Sequence, residues 1–111
     1  MKSIQTLLTE LYSALTAVEG LNVYHFERPE DFTLPYAVWG EDGEDGSFHA
    51  DNHKQDQVIT GYVDFFTETE FDPLADSIQG ALDGVCAWKL NSVQYEDETK
   101  LIHYSWEWRK W

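Results

Sequence analysis

The sequence has 111 residues, 42% of them apolar and 15% aromatic, enough for the core of one domain spanning 1–111 and unlike a disordered chain. Its 21 acidic residues against 7 basic ones leave a net charge of −14, which argues against binding nucleic acid or an anionic membrane through a basic patch. No apolar run approaches the roughly 20 residues of a membrane span, and the single cysteine, Cys86, cannot form an internal disulfide and reads as a buried structural thiol.

The first predicted element is a helix over 4–19. Ile4, Leu7, Leu8, Leu11, Leu15 and Val18 recur at steps of three and four and form one apolar stripe. Ser3 is the expected N-cap and Gly20 the expected stop. The stretch is amphipathic and carries Glu10, so it reads as a packed helix and not as a signal peptide. A short strand over 21–26 follows, then a polar turn broken by Pro29, then a strand over 35–40 that Pro35 can only begin. Residues 41–54, EDGEDGSFHADNHK, are expected to be a long acidic loop joining the two strands of an antiparallel hairpin.

The stretch QDQVITGYVDFFT, 55–67, organises the rest. Period two puts Ile59, Gly61, Val63 and Phe65 on one face and Val58, Tyr62 and Phe66 on the other. A strand apolar on both faces is expected to be central and covered by helices on at least one side. The second helix is expected over 72–84, with Asp72 as cap, Pro73 in the first position and Leu74, Ala75, Ile78, Ala81 and Leu82 facing inward. Strands over 87–95 and 100–111 then flank an acidic turn and close the chain as a hairpin. In the last strand Ile102, Tyr104, Trp106 and Trp108 share one face. The order is α-β-β-β-α-β-β, an α+β fold with a mostly antiparallel five-stranded sheet and two helices packed on it.

No catalytic constellation emerges. His49, Asp51 and His53 are suitable ligand types for a metal, but a loop gives them no regular geometry and no fourth ligand is evident. Asp42, Glu44, Asp45 and Asp51 lack the register of a helix–loop–helix calcium site. No nucleophile elbow, phosphate loop or dinucleotide fingerprint is present. The expectation is a protein that is not an enzyme and uses no metal or cofactor. Trp111 is expected to be exposed and to meet a partner.

In chain order, the helix over 4–19, the Leu34-Pro35-Tyr36 strand start, the Ala50-Asp51-Asn52 triplet, the aromatic-Thr strand end at 63–67, the acidic helix and the closing hairpin resemble the tail terminator or tail completion proteins of long-tailed bacteriophages and prophages. The chain departs from them after that triplet: His53, Lys54 and Gln55 stand where a basic and aromatic stretch is common. The resemblance implies a non-enzymatic ring, usually a hexamer, that caps the tail tube and receives the head connector. Its partners would be further copies of itself, the tail tube protein and a head-completion protein, with DNA passing without specific binding and no membrane involved. It would reside in the virion tail, or in the host cytoplasm during assembly. Phe48, Asp51, Asn52, His53 and Trp111 are the expected partner or subunit contacts. Glu41, Asp42, Glu44, Asp45, Glu96, Asp97 and Glu98 are the expected acidic lining of the lumen or its loops. The alternative is an acidic mimic of DNA that occupies a DNA-binding enzyme.

Overall fold

In the computed structural model, which describes residues 2–45, 49–50, 53–54 and 57–111, the elements are α1 (Ile4–Thr16), β1 (Asn22–His25), β2 (Tyr36–Glu44), β3 (His49–Ala50), β4 (His53–Lys54), β5 (Ile59–Thr67), α2 (Leu74–Asp83), β6 (Ala87–Glu96) and β7 (Leu101–Lys110). The main sheet runs β1-β2-β5-β7-β6, antiparallel except for the parallel β1–β2 pair, and β3 and β4 form a small separate ladder. The fold is α+β in the expected order.

β5 is central because one of its faces is a continuous apolar row. Ile59, Gly61, Val63, Phe65 and Thr67 are buried, and they align with Ala37 and Trp39 of β2 and with Trp106 and Trp108 of β7. Leu7, Leu8, Leu11 and Leu15 of α1 and Ile78 and Leu82 of α2 close over that row, so both helices lie on one face. Burying a leucine or isoleucine side chain contributes about 1.5–3 kcal/mol, so these six positions hold the two layers together. Gly61 is required by this packing: a Cβ there would sit 2.2 Å from the Trp108 ring and 2.2 Å from the Gly40 carbonyl. Trp108 in turn donates its Nε1–H to the Tyr62 carbonyl.

Several boundaries differ from the sequence reading. α1 ends at Thr16, short of 19. The Ala17 N–H still reaches Ser13, Val18 tightens to Leu15, and Gly20 turns the chain at φ 81°. Ser3 caps the helix as expected, its Oγ accepting from Thr6 N–H at 3.1 Å. α2 begins at Leu74, so Pro73 stands at the cap position and not in the first helical one; the Asp72 carboxylate, one residue further out, accepts the Leu74 N–H at 2.9 Å.

The largest correction concerns the acidic loop. Glu41, Asp42, Gly43 and Glu44 belong to β2, because the outer end of β5 draws them into its ladder: Glu41 pairs with Gly61, Gly43 with Thr60 and Glu44 with Ile59. The ladder slips at Asp42, which sits between Glu41 and Gly43 as a β-bulge. β5 itself begins at Ile59, leaving Val58 outside the strand. Its second face is covered by no helix; Thr60, Tyr62, Asp64 and Phe66 there are only half-buried.

Candidate interaction surfaces

The β6–β7 hairpin carries an uncovered apolar surface. A second bulge makes it: the ladder slips between Leu90 and Ser92, so Asn91 is the extra residue. Upstream, Trp88 and Leu90 pair with Trp108 and Trp106 on the helix side; downstream, Val93 and Tyr95 pair with Tyr104 and Ile102 and so stay on that same side. Without the slip, strict alternation would send Val93 and Tyr95 to the opposite face. α2 reaches only the upper rows, with Asp83 accepting from Trp88 Nε1–H and Gln79 from Trp106 Nε1–H. The lower rows are left open: Val93 is 50% and Tyr95 58% exposed. Together with Phe71, Ile102 and Tyr104 they line a groove of about 990 Å³, rimmed by Glu68, Glu70 and Lys100.

Phe71 is the most exposed large apolar side chain described, at 88%, and its backbone is held at φ 58°. Phe26, on the far side of the sheet, is also exposed and held at φ 70°. The left-handed conformation costs a non-glycine residue about 1 kcal/mol. Phe26 is fixed there because its N–H donates to the Trp39 carbonyl at 2.7 Å, ending β1. Its ring stacks on His25 at 4.0 Å, and His25 stacks on Trp39 at 4.2 Å. Half-exposed Tyr12 of α1 stands 6.2 Å from the same Trp39. The β1 edge therefore presents a second aromatic surface.

The seven acidic residues expected to line a lumen divide between the two ends of the sheet. At the β2 terminus, Glu41 Oε1 lies 2.7 Å from His25 Nε2, Asp42 Oδ1 accepts from the Thr60 hydroxyl at 2.8 Å, Glu44 accepts from Gln57 at 2.9 Å and Asp45 pairs with Arg109 at 3.0 Å. Glu96 ends β6, and Asp97 and Glu98 stand in the turn to β7. The register places these clusters apart: Glu44 is level with Ile59 and Lys110, whereas Glu96 is level with Leu101. Across a strand the length of β5 that is roughly 27 Å. With Glu96 accepting from the Thr99 hydroxyl at 3.1 Å, five of these seven carboxylates already have neutral or cationic partners, so they are not an unpartnered loop cluster.

The open face of the sheet carries a ladder of rings. Tyr36 stacks on Phe66 at 4.9 Å and Phe66 on His103 at 4.2 Å, and Arg28 lies 4.0 Å over the Phe32 ring beside them. His103 Nε2 is 3.1 Å from Asp64 Oδ1, and its Nδ1 is 3.6 Å from Glu96 Oε2. These contacts fix the imidazole across three strands; among the described residues no nucleophile is bonded to it. Among the described residues no group of three or more His, Cys, Asp or Glu is arranged to hold a metal, and no helix is long and apolar enough to cross a membrane.

No model of a known protein family matches the chain, and no curated protein matches it. What the chain offers must be judged from its own surfaces.

Of the expected contact residues, Trp111 is 62% exposed beside Lys110. Phe48, Asp51 and Asn52 lie outside the described residues, and His53 is described only as backbone in β4. Cys86 is half-buried with its thiol donating to the Leu82 carbonyl at 3.3 Å; burial pushes its pKa up to about 11, the opposite of what a nucleophile needs. Lys110, 3% exposed, is the buried cation: it donates to the Val85 carbonyl at 2.8 Å and pairs with Glu10, which also holds Lys2, tying the end of β7 to α1. The groove and the Phe26 edge were not found by sequence reading. The available signal was the break in alternation at Asn91, where Leu90 gives way to Val93 after two polar residues rather than one.

Proposed function

We propose that this protein is a structural subunit of a phage or prophage tail, a tail terminator or completion protein. In that role, copies form a ring that caps the tail tube and joins it to the head connector. The observation that carries the reading is the partition of the surface. The two ends of the sheet are acidic, while its lateral edges carry exposed aromatic and aliphatic side chains. A ring wall needs adhesive flanks and ends that shed DNA. A duplex carries a phosphate charge about every 1.7 Å of axis, so carboxylates at the two mouths would repel it where lysines would hold it. The resemblance in element order, from the opening helix to the closing hairpin, supports the same role. The tail tube protein and a head-completion protein are the implied partners, DNA passes without specific binding, and the setting is the virion tail or the host cytoplasm during assembly.

The test is the mass of the native particle, alone and mixed with tail tube protein, followed by electron microscopy of the mixture. The reading expects a closed oligomer of fixed stoichiometry at the tip of tail tubes. A monomer that ignores tail tubes and competes with DNA for a basic enzyme would overturn it in favour of a DNA mimic.

A further inference from the structure

We infer that the outer edge of β6 is a self-pairing surface, along which two copies of this chain join antiparallel about a two-fold axis at Val93. The inference goes beyond the ring reading and does not rest on it. A two-fold contact uses one surface twice and closes on itself, so it joins copies in pairs.

Three observations carry it. First, β6 is a terminal strand of the sheet, ten residues long and paired on one side only, with β7. An edge of that length presents a row of backbone donors and acceptors that another strand can pair; β1, at the opposite edge, has four residues. Second, the side chains along the edge match their own reverse. Leu90, Val93 and Tyr95 lie on the helix side, three residues apart and then two. With Val93 set against its counterpart, the three-residue span of one copy faces the two-residue span of the other. Leu90 then falls opposite Tyr95 on both sides of the axis. The bulge does not spoil this pairing, because Asn91 stays the extra residue here as it does against β7.

Third, the same register pairs the charges. Lys89 and Glu96 are the only charged residues of β6, and both stand on the open face, level with Glu107 and Leu101. A lysine on an edge ordinarily guards it against pairing. Here the two-fold sets each Lys89 opposite Glu96 of the other copy, so an ion pair forms twice. Lys89 is exposed and makes no ion pair among the described residues, and Glu96 is already oriented by the Thr99 hydroxyl. In a chain of net charge −14, this edge is neutral and lets two copies meet without acid facing acid. The groove's acidic rim lies elsewhere: Glu68 and Glu70 follow β5, two strands in from the edge. The two-fold also turns the second copy end over end, which sets its α2-covered rows beside the rows that α2 leaves open.

The experiment uses the full chain in a Cys86→Ala background. Antiparallel partners stand roughly 4.5–5.5 Å apart at Cα, within reach of a disulfide. Val93→Cys alone should therefore give a disulfide dimer on mild oxidation, and Gln5→Cys, exposed on α1, should not. Leu90→Cys mixed with Tyr95→Cys should crosslink, while each alone stays monomeric on a denaturing gel. Lys89→Glu and Glu96→Lys should each weaken the dimer roughly two- to thirtyfold, the range for losing two exposed ion pairs. An equimolar mixture of the two should recover it, which a fault inside one copy would not do. A Leu90→Cys preparation that crosslinks to itself overturns the antiparallel register. Val93→Cys copies that crosslink no better than Gln5→Cys copies, or a chain that sediments as a monomer at every salt and concentration, overturn the pairing. A closed ring on tail tubes without the Val93 crosslink removes the two-fold contact and leaves the ring reading standing. A crosslinked dimer that ignores tail tubes does the reverse.

Discussion

Phe71 shows at the scale of one residue that stability and association make opposite demands. It is 88% exposed and held at φ 58°, so it contributes little burial and retains a backbone cost of about 1 kcal/mol. Phe71→Gly removes that cost, less the entropy a glycine adds to the unfolded chain. We expect it to raise folding stability by about 0.5 kcal/mol, read as a higher urea midpoint, while weakening self-association. A lower midpoint would mean that Phe71 packs in the monomer and is not held out for a partner. Cys86 makes a second residue-level case. Its thiol pKa is raised from 9.0 to about 11 by burial. A group whose folded pKa is raised gives stability that is fully present below its unfolded pKa and is lost as pH rises towards its folded one. The folded protein should therefore react slowly with iodoacetamide at pH 8. Its stability should fall between about pH 9 and 11, and Cys86→Ala should remove that part of the decline. Rapid alkylation of the native protein would contradict the raised thiol pKa.

The middles of the helices are where element-scale reasoning from sequence succeeded, because their apolar stripes point one way there; at the ends of the first stripe Ile4 is exposed and Val18 lies beyond the helix. Leu11 and Ile78 are both fully buried against the sheet. Leu11→Asp or Ile78→Asp places an unpaired charge there at a cost of several kcal/mol, comparable with the whole stability of a small domain. Neither variant should show a cooperative melt near that of the parent; if one does, that helix face is not in the core. The strands were legible where alternation is unbroken: Ile59 to Phe65 and Tyr104 to Trp108 could be assigned to faces from spacing alone. They were not legible where a bulge resets the period. Asp42 lies in an acidic stretch that a local reading assigns to a loop, and pairing with the end of β5 draws that stretch into the sheet. Asn91 lies in a strand that the spacing does assign, but which residue the ladder skips is set by pairing with β7, a long-range property that composition does not reveal. The groove escaped for the same reason, since Val93 and Tyr95 reach the helix side only through the slip at Asn91. The left-handed turns at Phe26 and Phe71 had no sequence signal either, because neither is a glycine or asparagine.

For the whole molecule the deciding quantity is charge. Each copy carries −14, and ring closure sets the acidic ends of neighbours side by side. Ion pairs between exposed side chains of neighbouring copies contribute about 0.2–1 kcal/mol each. Two or three of them do not offset the repulsion of two such copies at low ionic strength, where the Debye length is about 30 Å at 0.01 M. Salt at 0.1 M shortens it to about 10 Å, which removes most of the long-range repulsion and leaves the apolar contact, which salt does not screen. Association should therefore strengthen as salt rises from low to physiological levels, measured by sedimentation across a salt series. The two ends should contribute separately because they are a sheet's length apart. Changing Glu96, Asp97 and Glu98 to Gln or Asn should flatten the salt dependence. So should the same change at Glu41, Asp42, Glu44 and Asp45, though at some cost in stability because His25, Thr60 and Arg109 lose partners. Mean melting temperature separates that local loss from the effect on assembly. Should salt weaken association, or should neutralising both ends leave it unchanged, then attraction between charges and not contact between apolar flanks would be holding the copies together. An acidic surface that seeks cations is what a DNA mimic presents, and that reading would then take the place of the ring.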